Sequence, residues 1–196
     1  MATASEFDLK LLFTEARTHT AWLPRGVEDA LLQQLYDLTK MGPTGGNTQP
    51  LRVVFVKSAA AKERLRPTLA AGNVDKTMSA PVTAIIAHDL EFYEQMPKLF
   101  PARDMKTGLS KMPPEALDKM ARQSATLQAG YLILAARALG FDCGPMSGFD
   151  TARLDAEFFP EGKLKSSLLI NLGYGDPARL HPRNPRLDFN DACRIE

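Results

Sequence analysis

The sequence lacks the features that tie a chain to a membrane, a metal or a nucleic acid. It has only two cysteines, Cys143 and Cys193, in no CxxC pair and beside no histidine. Neither a disulfide framework nor a cysteine-type zinc site can be built from them. Its 24 basic and 23 acidic side chains leave a formal net charge of +1, too balanced for a protein that must neutralise a phosphate backbone. Nucleic acid is not expected as a partner. The most apolar stretch, Ala80 to Ala87, is interrupted by Thr83 and falls far short of the roughly 20 residues that cross a bilayer. Met1 to Thr14 carries Glu6 and Asp8 and has no basic start or apolar run, so no secretory leader is read and a cytoplasmic location is expected. No GxGxxG follows a strand-like run, and there is no GxSxG or HExxH. Gly72 to Thr77 ends in Lys-Thr without the glycine that a P-loop needs before its lysine. His19, His88 and His181 lie far apart, and no metal site is expected.

What is present is an ordinary globular pattern. At about 150 residues per domain, 196 residues with 44% hydrophobic content predict one domain over residues 1–196. Leu9, Leu12, Phe13 and Ala16 recur at helical spacing behind Ser5 and Asp8, predicting a helix that ends near Arg17. Glu28 to Lys40 predicts a second helix, stopped by Gly42-Pro43. Arg52 to Val56, Pro81 to His88 and Ser166 to Gly173 read as buried strands, and Ala59 to Leu69 as a helix. Glu91 to Pro114, rich in Met, Pro, Phe and Lys without a clean period, reads as a mobile helical or looped excursion near a site. Glu115 to Leu139 is the longest helical pattern, and its second half is apolar almost all round, which predicts a central buried helix. Helices and short strands in mixed order indicate an α+β layer fold.

Five polar or Gly-containing islands interrupt these elements: Arg17 to Thr20, Pro43 to Pro50, Asn73 with Lys76, Gly144 to Phe149, and Pro182 to Arg186. Each has an ordinary reading: Arg17 to Thr20 as a helix exit, the Pro43 island as a turn, Asn73 with Lys76 as a loop, the Gly144 island as a helix-to-strand joint and the last as a solvated tail. Together, in this order, they resemble the flavin-dependent nitroreductase family. Pro43 to Pro50 resembles its P-S-x-x-N-x-Q-P loop, and Asn73 and Lys76 its Asn-x-x-Lys pair. Leu139-Gly140 through Pro145, Gly148, Phe149 and Asp150 resembles its L-G-x-x-x-x-P-x-x-G-F-D segment. The resemblance runs from Phe13 to Leu187. Within the family, Ala16 to Trp22, Gly42 to Gln49 and Gly144 to Asp150 are most similar to the pyrimidine-catabolism branch of malonic semialdehyde reductases and NADH dehydrogenases.

The resemblance implies a central, mostly antiparallel sheet flanked by helices, an intertwined homodimer, FMN as cofactor and NADH or NADPH as co-substrate. FMN asks for three chemistries, and each selects a residue type. Its phosphate favours the planar fork of arginine, for which the resemblance offers Arg17 and Arg186, with Thr18 and His19 as neutral donors. A ring edge that becomes anionic on reduction needs a fixed cation or strong donors, the part assigned to Lys76 and Asn73. A flat ring needs backbone that approaches closely, assigned to Pro43, Thr44 and Gly45 on one side and Pro145, Met146, Ser147 and Gly148 near N5, while Asn47 meets the ribityl chain. Ser147 stands where many members carry an acid, Thr20 where a second basic residue is common, and Asn184 where a lysine often precedes the last arginine. Fewer cations predict weaker flavin binding.

The expected reaction is a ping-pong transfer of hydride from NAD(P)H through flavin N5 to an electron-poor small molecule. No catalytic dyad is required, because the cofactor carries the chemistry. The branch resemblance points to malonic semialdehyde, reduced to 3-hydroxypropionate, its carboxylate met by a cation of the Lys98 to Lys111 stretch such as Arg103. A broad nitroaromatic or quinone reductase is the enzyme alternative. A flavin-binding protein without turnover is the alternative of another class.

Overall fold

The computed structural model describes residues 5–196; Met1 to Ala4, part of the stretch read for a leader, lie outside them. Ser5 starts helix α1 (Glu6–Leu9) with a reciprocal cap: its hydroxyl accepts from the Asp8 amide at 3.2 Å, and the Asp8 carboxylate accepts from the Ser5 amide at 3.0 Å. The chain continues as a π-helical turn, Lys10–Thr14, and leaves the helix before Arg17. No residue of this arm is buried, and Phe7, Leu9 and Phe13 face solvent.

After α2 (Asp29–Thr39) the chain runs through β1 (Leu51–Val56), α3 (Ala59–Leu65), α4 (Val74–Met78) and β2 (Val82–Asp89). Two short helices follow, α5 (Met96–Leu99) and α6 (Lys106–Leu109), then the long α7 (Pro114–Ala138). β3 (Asp142–Met146), α8 (Thr151–Phe158), β4 (Leu164–Gly173) and α9 (Phe189–Ala192) complete it. Among the described residues, no helix is long and apolar enough to cross a membrane.

The four strands form one sheet in the order β1-β2-β4-β3, every pair antiparallel. Both faces are covered, which is why the strands read as apolar runs without alternation. Ala84 and Ile86 of β2 and Ile170 and Leu172 of β4 pack with Leu32 and Leu35 of α2 and Ala129, Leu132 and Ala136 of α7. Ile85 and Ala87 of β2 and Leu169 of β4 turn the other way, to Leu65 of α3 and Leu154 of α8. Side chains alternate across a strand, so neighbours such as Ile85 and Ile86 serve opposite layers.

Three local expectations need correction. Gly144-Pro145 was expected as a joint, yet it lies inside β3. Proline is tolerated there because β3 is the edge strand of the sheet, and the bridge on its outer side falls at Cys143 and not at Pro145. Asn73 and Lys76 were expected on a loop; Lys76 is in α4, which Asn73 immediately precedes. Of the two forms expected for the Glu91 to Pro114 excursion, the helical one is present, and Phe92, Met96 and Leu109 are buried there against Leu117 of α7. Helix α7 is buried along one face only: Leu127 and Tyr131 remain 49% and 42% exposed, and an open cavity of about 940 Å3 runs along that outer face.

One buried group stands apart from this apolar packing. Lys62 of α3 is only 4% exposed, and its amine donates to the Thr77 carbonyl at 2.7 Å and the Thr83 hydroxyl at 2.6 Å. Burial pushes its pKa down from 10.5 to about 8. Between those values the folded protein has released a proton that the unfolded chain still holds, so stability from this group rises with pH across that window. Urea titrations from pH 8 to 10.5 should show wild type gaining unfolding free energy relative to Lys62→Met. A wild-type curve parallel to the variant's would contradict the burial argument.

Candidate functional site

The segment after α1 is laid along the outer edge of β3. Thr18 makes a parallel bridge to Cys143, the His19 amide donates to the Cys143 carbonyl at 3.0 Å, and the Leu23 amide donates to the Tyr174 carbonyl at 2.7 Å. Two glycines allow this approach. A Cβ on Gly144 would lie 2.5 Å from the His19 carbonyl oxygen, and one on Gly175 would lie 1.9 Å from His19 Nδ1. His19 therefore points inward, its Nε2 3.3 Å from the Asp142 carboxylate, and it does not line the cleft described next.

That cleft, of about 410 Å3, lies between the strap and the C-terminal tail. Five arginines line it, Arg17, Arg137, Arg179, Arg183 and Arg186, together with Thr18, Thr20 and Asn184, and no acidic side chain is among its lining residues. Backbone carbonyls hold four of the five guanidinium groups in place. Arg17 donates to His181 O, Arg183 to Ala16 O at 2.7 Å, Arg137 to Leu12 O at 2.8 Å, and Arg186 to Asn184 O and Pro185 O. The Arg137 Nε is buried without a partner. A concave surface lined by cations alone attracts anions.

Two more islands adjoin the strap. Asn73 is buried and its amide donates to the Gly148 carbonyl at 2.7 Å, which ties the residue before α4 to the segment after β3. The Lys76 carbonyl accepts from the Trp22 indole at 2.9 Å and from the Asn171 amide at 3.0 Å. The Lys76 side chain is half-buried and makes no ion pair among the described residues. Pro145 and Met146 close β3, with the Met146 sulfur accepting from the Thr77 hydroxyl; Ser147 is exposed.

The Pro43 to Pro50 loop stands apart from this group. Gly46, Asn47 and Gln49 have φ of 60°, 53° and 41°, a left-handed path that costs a non-glycine residue about 1–3 kcal/mol. It is held by local bonds: the Thr44 hydroxyl accepts from the Gln49 backbone amide, and Gln49 Nε2 donates to Asn47 Oδ1. Asn47 Nδ2 donates to Leu99 O at 2.8 Å. Its contacts therefore run to the excursion, and no residue of it lines the arginine cleft. One chain gathers the Arg17, Asn73, Gly144 and Arg186 islands and leaves the Pro43 island elsewhere.

Residues 14–174 match the Nitroreductase family. A protein of Ralstonia nicotianae provisionally named NADH dehydrogenase/NAD(P)H nitroreductase is 52% identical over 195 residues, 100% of each chain. The chain belongs to the nitroreductase family. In solved structures the same fold recurs in a Bacillus subtilis nitroreductase, with TM-score 0.88, 20% identity, and 98% and 100% of the two chains covered. It recurs also in a nitroreductase of Exiguobacterium sibiricum in complex with FMN, with TM-score 0.86, 20% identity, and 100% and 99% covered. The α+β expectation and the antiparallel sheet hold.

Sequence reasoning missed three lining residues of the cleft, Arg137, Arg179 and Arg183. The tail arginines look like a solvated basic run, and Arg137 looks like the charged last turn of a helix; only the strap shows that these segments meet. Gly144→Ala should therefore cost about 1–3 kcal/mol of stability by overpacking against backbone, read by thermal unfolding. Gly26→Ala, with nothing within 4 Å of the new Cβ, should be neutral or slightly stabilising. Equal melting temperatures for the two variants would show that the strap can move away at no cost.

Proposed function

We propose that this nitroreductase-family chain is an FMN-dependent NAD(P)H oxidoreductase over its whole length, working as an intertwined homodimer. The observation that carries the reading is the arginine cleft. Five guanidinium groups without an acid, one with a buried Nε lacking a partner, fit the phosphate dianion of FMN in number, charge and donor geometry. Arg17 and Arg186 would hold the phosphate, and Arg137, Arg179 and Arg183 would supply the charge that Thr20 and Asn184 do not. Arg17 and Arg183 also tie strap and tail together through His181 O and Ala16 O, so the anion would meet a preorganised site.

When bound, FMN supplies the centre that accepts hydride from NAD(P)H and passes it to an acceptor. The chain's own tasks are binding and electrostatics. Lys76, half-buried on a clamped helix, would oppose negative charge on the pyrimidine edge of the ring. Asn73 holds the Gly148 carbonyl, which fixes the Pro145 to Gly148 segment that would face the ring. Thr44, Gly45 and Asn47 would come from the partner protomer, which accounts for their separation from the cleft within one chain. Second-copy packing is supported by the apolar surface left uncovered: the outer face of α7 with Leu127 and Tyr131, the arm with Phe7 and Phe13, and Leu187 and Phe189 of the tail.

For the acceptor we infer malonic semialdehyde, reduced to 3-hydroxypropionate, with nitroaromatics or quinones as the competing class. Asn47 joins the loop to the excursion at Leu99, so Lys98 and Arg103 are carried beside the ring-facing loop, where a carboxylate would find a cation.

Losing one charge-assisted phosphate contact should weaken FMN about 10- to 100-fold, read for Arg17→Ala by flavin fluorescence titration. Riboflavin, which lacks the phosphate, should bind both proteins equally. In the absence of oxygen, NAD(P)H should bleach the yellow wild-type protein, and 3-hydroxypropionate should then form from added malonic semialdehyde. Unchanged FMN affinity, or equal losses for FMN and riboflavin, would remove the arginine cleft from the reading. Turnover of a nitroaromatic alone would select the competing acceptor.

A further inference from the structure

We propose that Lys62 is a positioning residue for Lys76, acting through a buried hydrogen-bonded ring that fixes α4 to the sheet; its consequence for the cofactor rests on the flavin reading above. The last carbonyls of a helix have no partner within it, and α4 is a helix of five residues that cannot hold its own orientation. Two of these carbonyls are met from outside. The Lys62 amine donates to Thr77 O at 2.7 Å, placing a cation at the helix C-terminus. The same amine donates to the Thr83 hydroxyl at 2.6 Å, which donates to Asn171 Oδ1 at 2.7 Å, and Asn171 Nδ2 donates to Lys76 O at 3.0 Å. The ring thus starts on α3, crosses β2 and β4, and ends on the carbonyl of the residue assigned to the flavin edge.

Lys62 makes no ion pair among the described residues, and a buried ammonium without a carboxylate is costly. The site accepts that cost in return for direction. An ammonium can donate to a carbonyl and a hydroxyl at once, whereas an apolar side chain of similar volume would leave Thr77 O unmet and release Thr83 and Asn171 to other rotamers. None of these three side chains need touch a ligand, since their effect reaches Lys76 through the backbone.

Trp22 gives a readout free of cofactor. It is the single tryptophan of the chain, and its indole N–H donates to the same Lys76 carbonyl at 2.9 Å. In Lys62→Met the carbonyl should shift and the indole should gain water, moving the emission maximum to the red while cooperative unfolding is retained. With FMN bound, reduced flavin should lose about tenfold more affinity than oxidised flavin, a midpoint about 30 mV lower for a two-electron couple. In a Lys76→Ala background, Lys62→Met should leave the midpoint where Lys76→Ala alone puts it. Should Lys62→Met not fold, Thr83→Val interrupts the same ring and should shift emission and midpoint in the same directions. An unmoved emission, an unmoved midpoint, or a midpoint shift that persists in full beside Lys76→Ala overturns the proposal. A wild-type chain that takes up no FMN defeats the flavin reading instead and leaves the emission to decide the positioning role.

Discussion

The close approach of the 17–23 strap to the edge of β3 is the contact on which the functional half of the molecule depends. A backbone carbonyl, that of His19, sits where any side chain at position 144 would have to go. The reward is a short bridge at Thr18 and Cys143 that extends the sheet by a few atoms without a fifth full strand. Through it, Arg17 arrives opposite the tail, Trp22 arrives over α4, and His19 is turned inward to Asp142. Strap, α4 and the end of β3 behave as one assembly because each is tied to the next by a main-chain acceptor: Cys143 O, Lys76 O and Gly148 O.

The arrangement stores unfavourable terms in two places. Five guanidinium groups around one cleft repel each other, and only the carbonyls that they hold and the solvent offset this in the absence of an anion. The Pro43 loop keeps Asn47 and Gln49 in the left-handed region, and a net of side-chain bonds to Thr44 and Leu99 holds them there. Strain and like-charge crowding of this kind gather where a ligand is to be met. On the proposed reading, the anion relieves the first and the flat ring uses the second.

Much of this was legible in the amino-acid order. Runs such as Val82 to Ala87 read as strands covered on both faces, α2 carries a helical period with the Gly42-Pro43 stop, and α7 carries a long helical period. The loop islands carried the family through residue types at fixed separations. What could not be read is what depends on distant segments meeting. Pro145 argues against a strand until β3 is known to be an edge. Leu127 and Tyr131 look like core until α7 is seen to have a second, uncovered face. Arg137 is one more helix-end cation until the Leu12 carbonyl and the tail come to it. Lys62 has no local signal at all, since its partners Thr77 and Thr83, and Asn171 beyond Thr83, come from three other elements.

On the proposed reading, one chain supplies the phosphate cleft and a second copy the ring-facing loop. Subunit mixing tests it most directly. A chain carrying Arg17→Ala with Arg186→Ala and a chain carrying Thr44→Ala with Asn47→Ala should each bind little FMN alone. Refolded together in equal amounts, they should regain about a quarter of the wild-type FMN sites, because random pairing makes half the dimers mixed and each mixed dimer holds one intact site. Binding that stays at the level of the unmixed chains, with mixed dimers formed, would place the whole site within a single chain and contradict the claim.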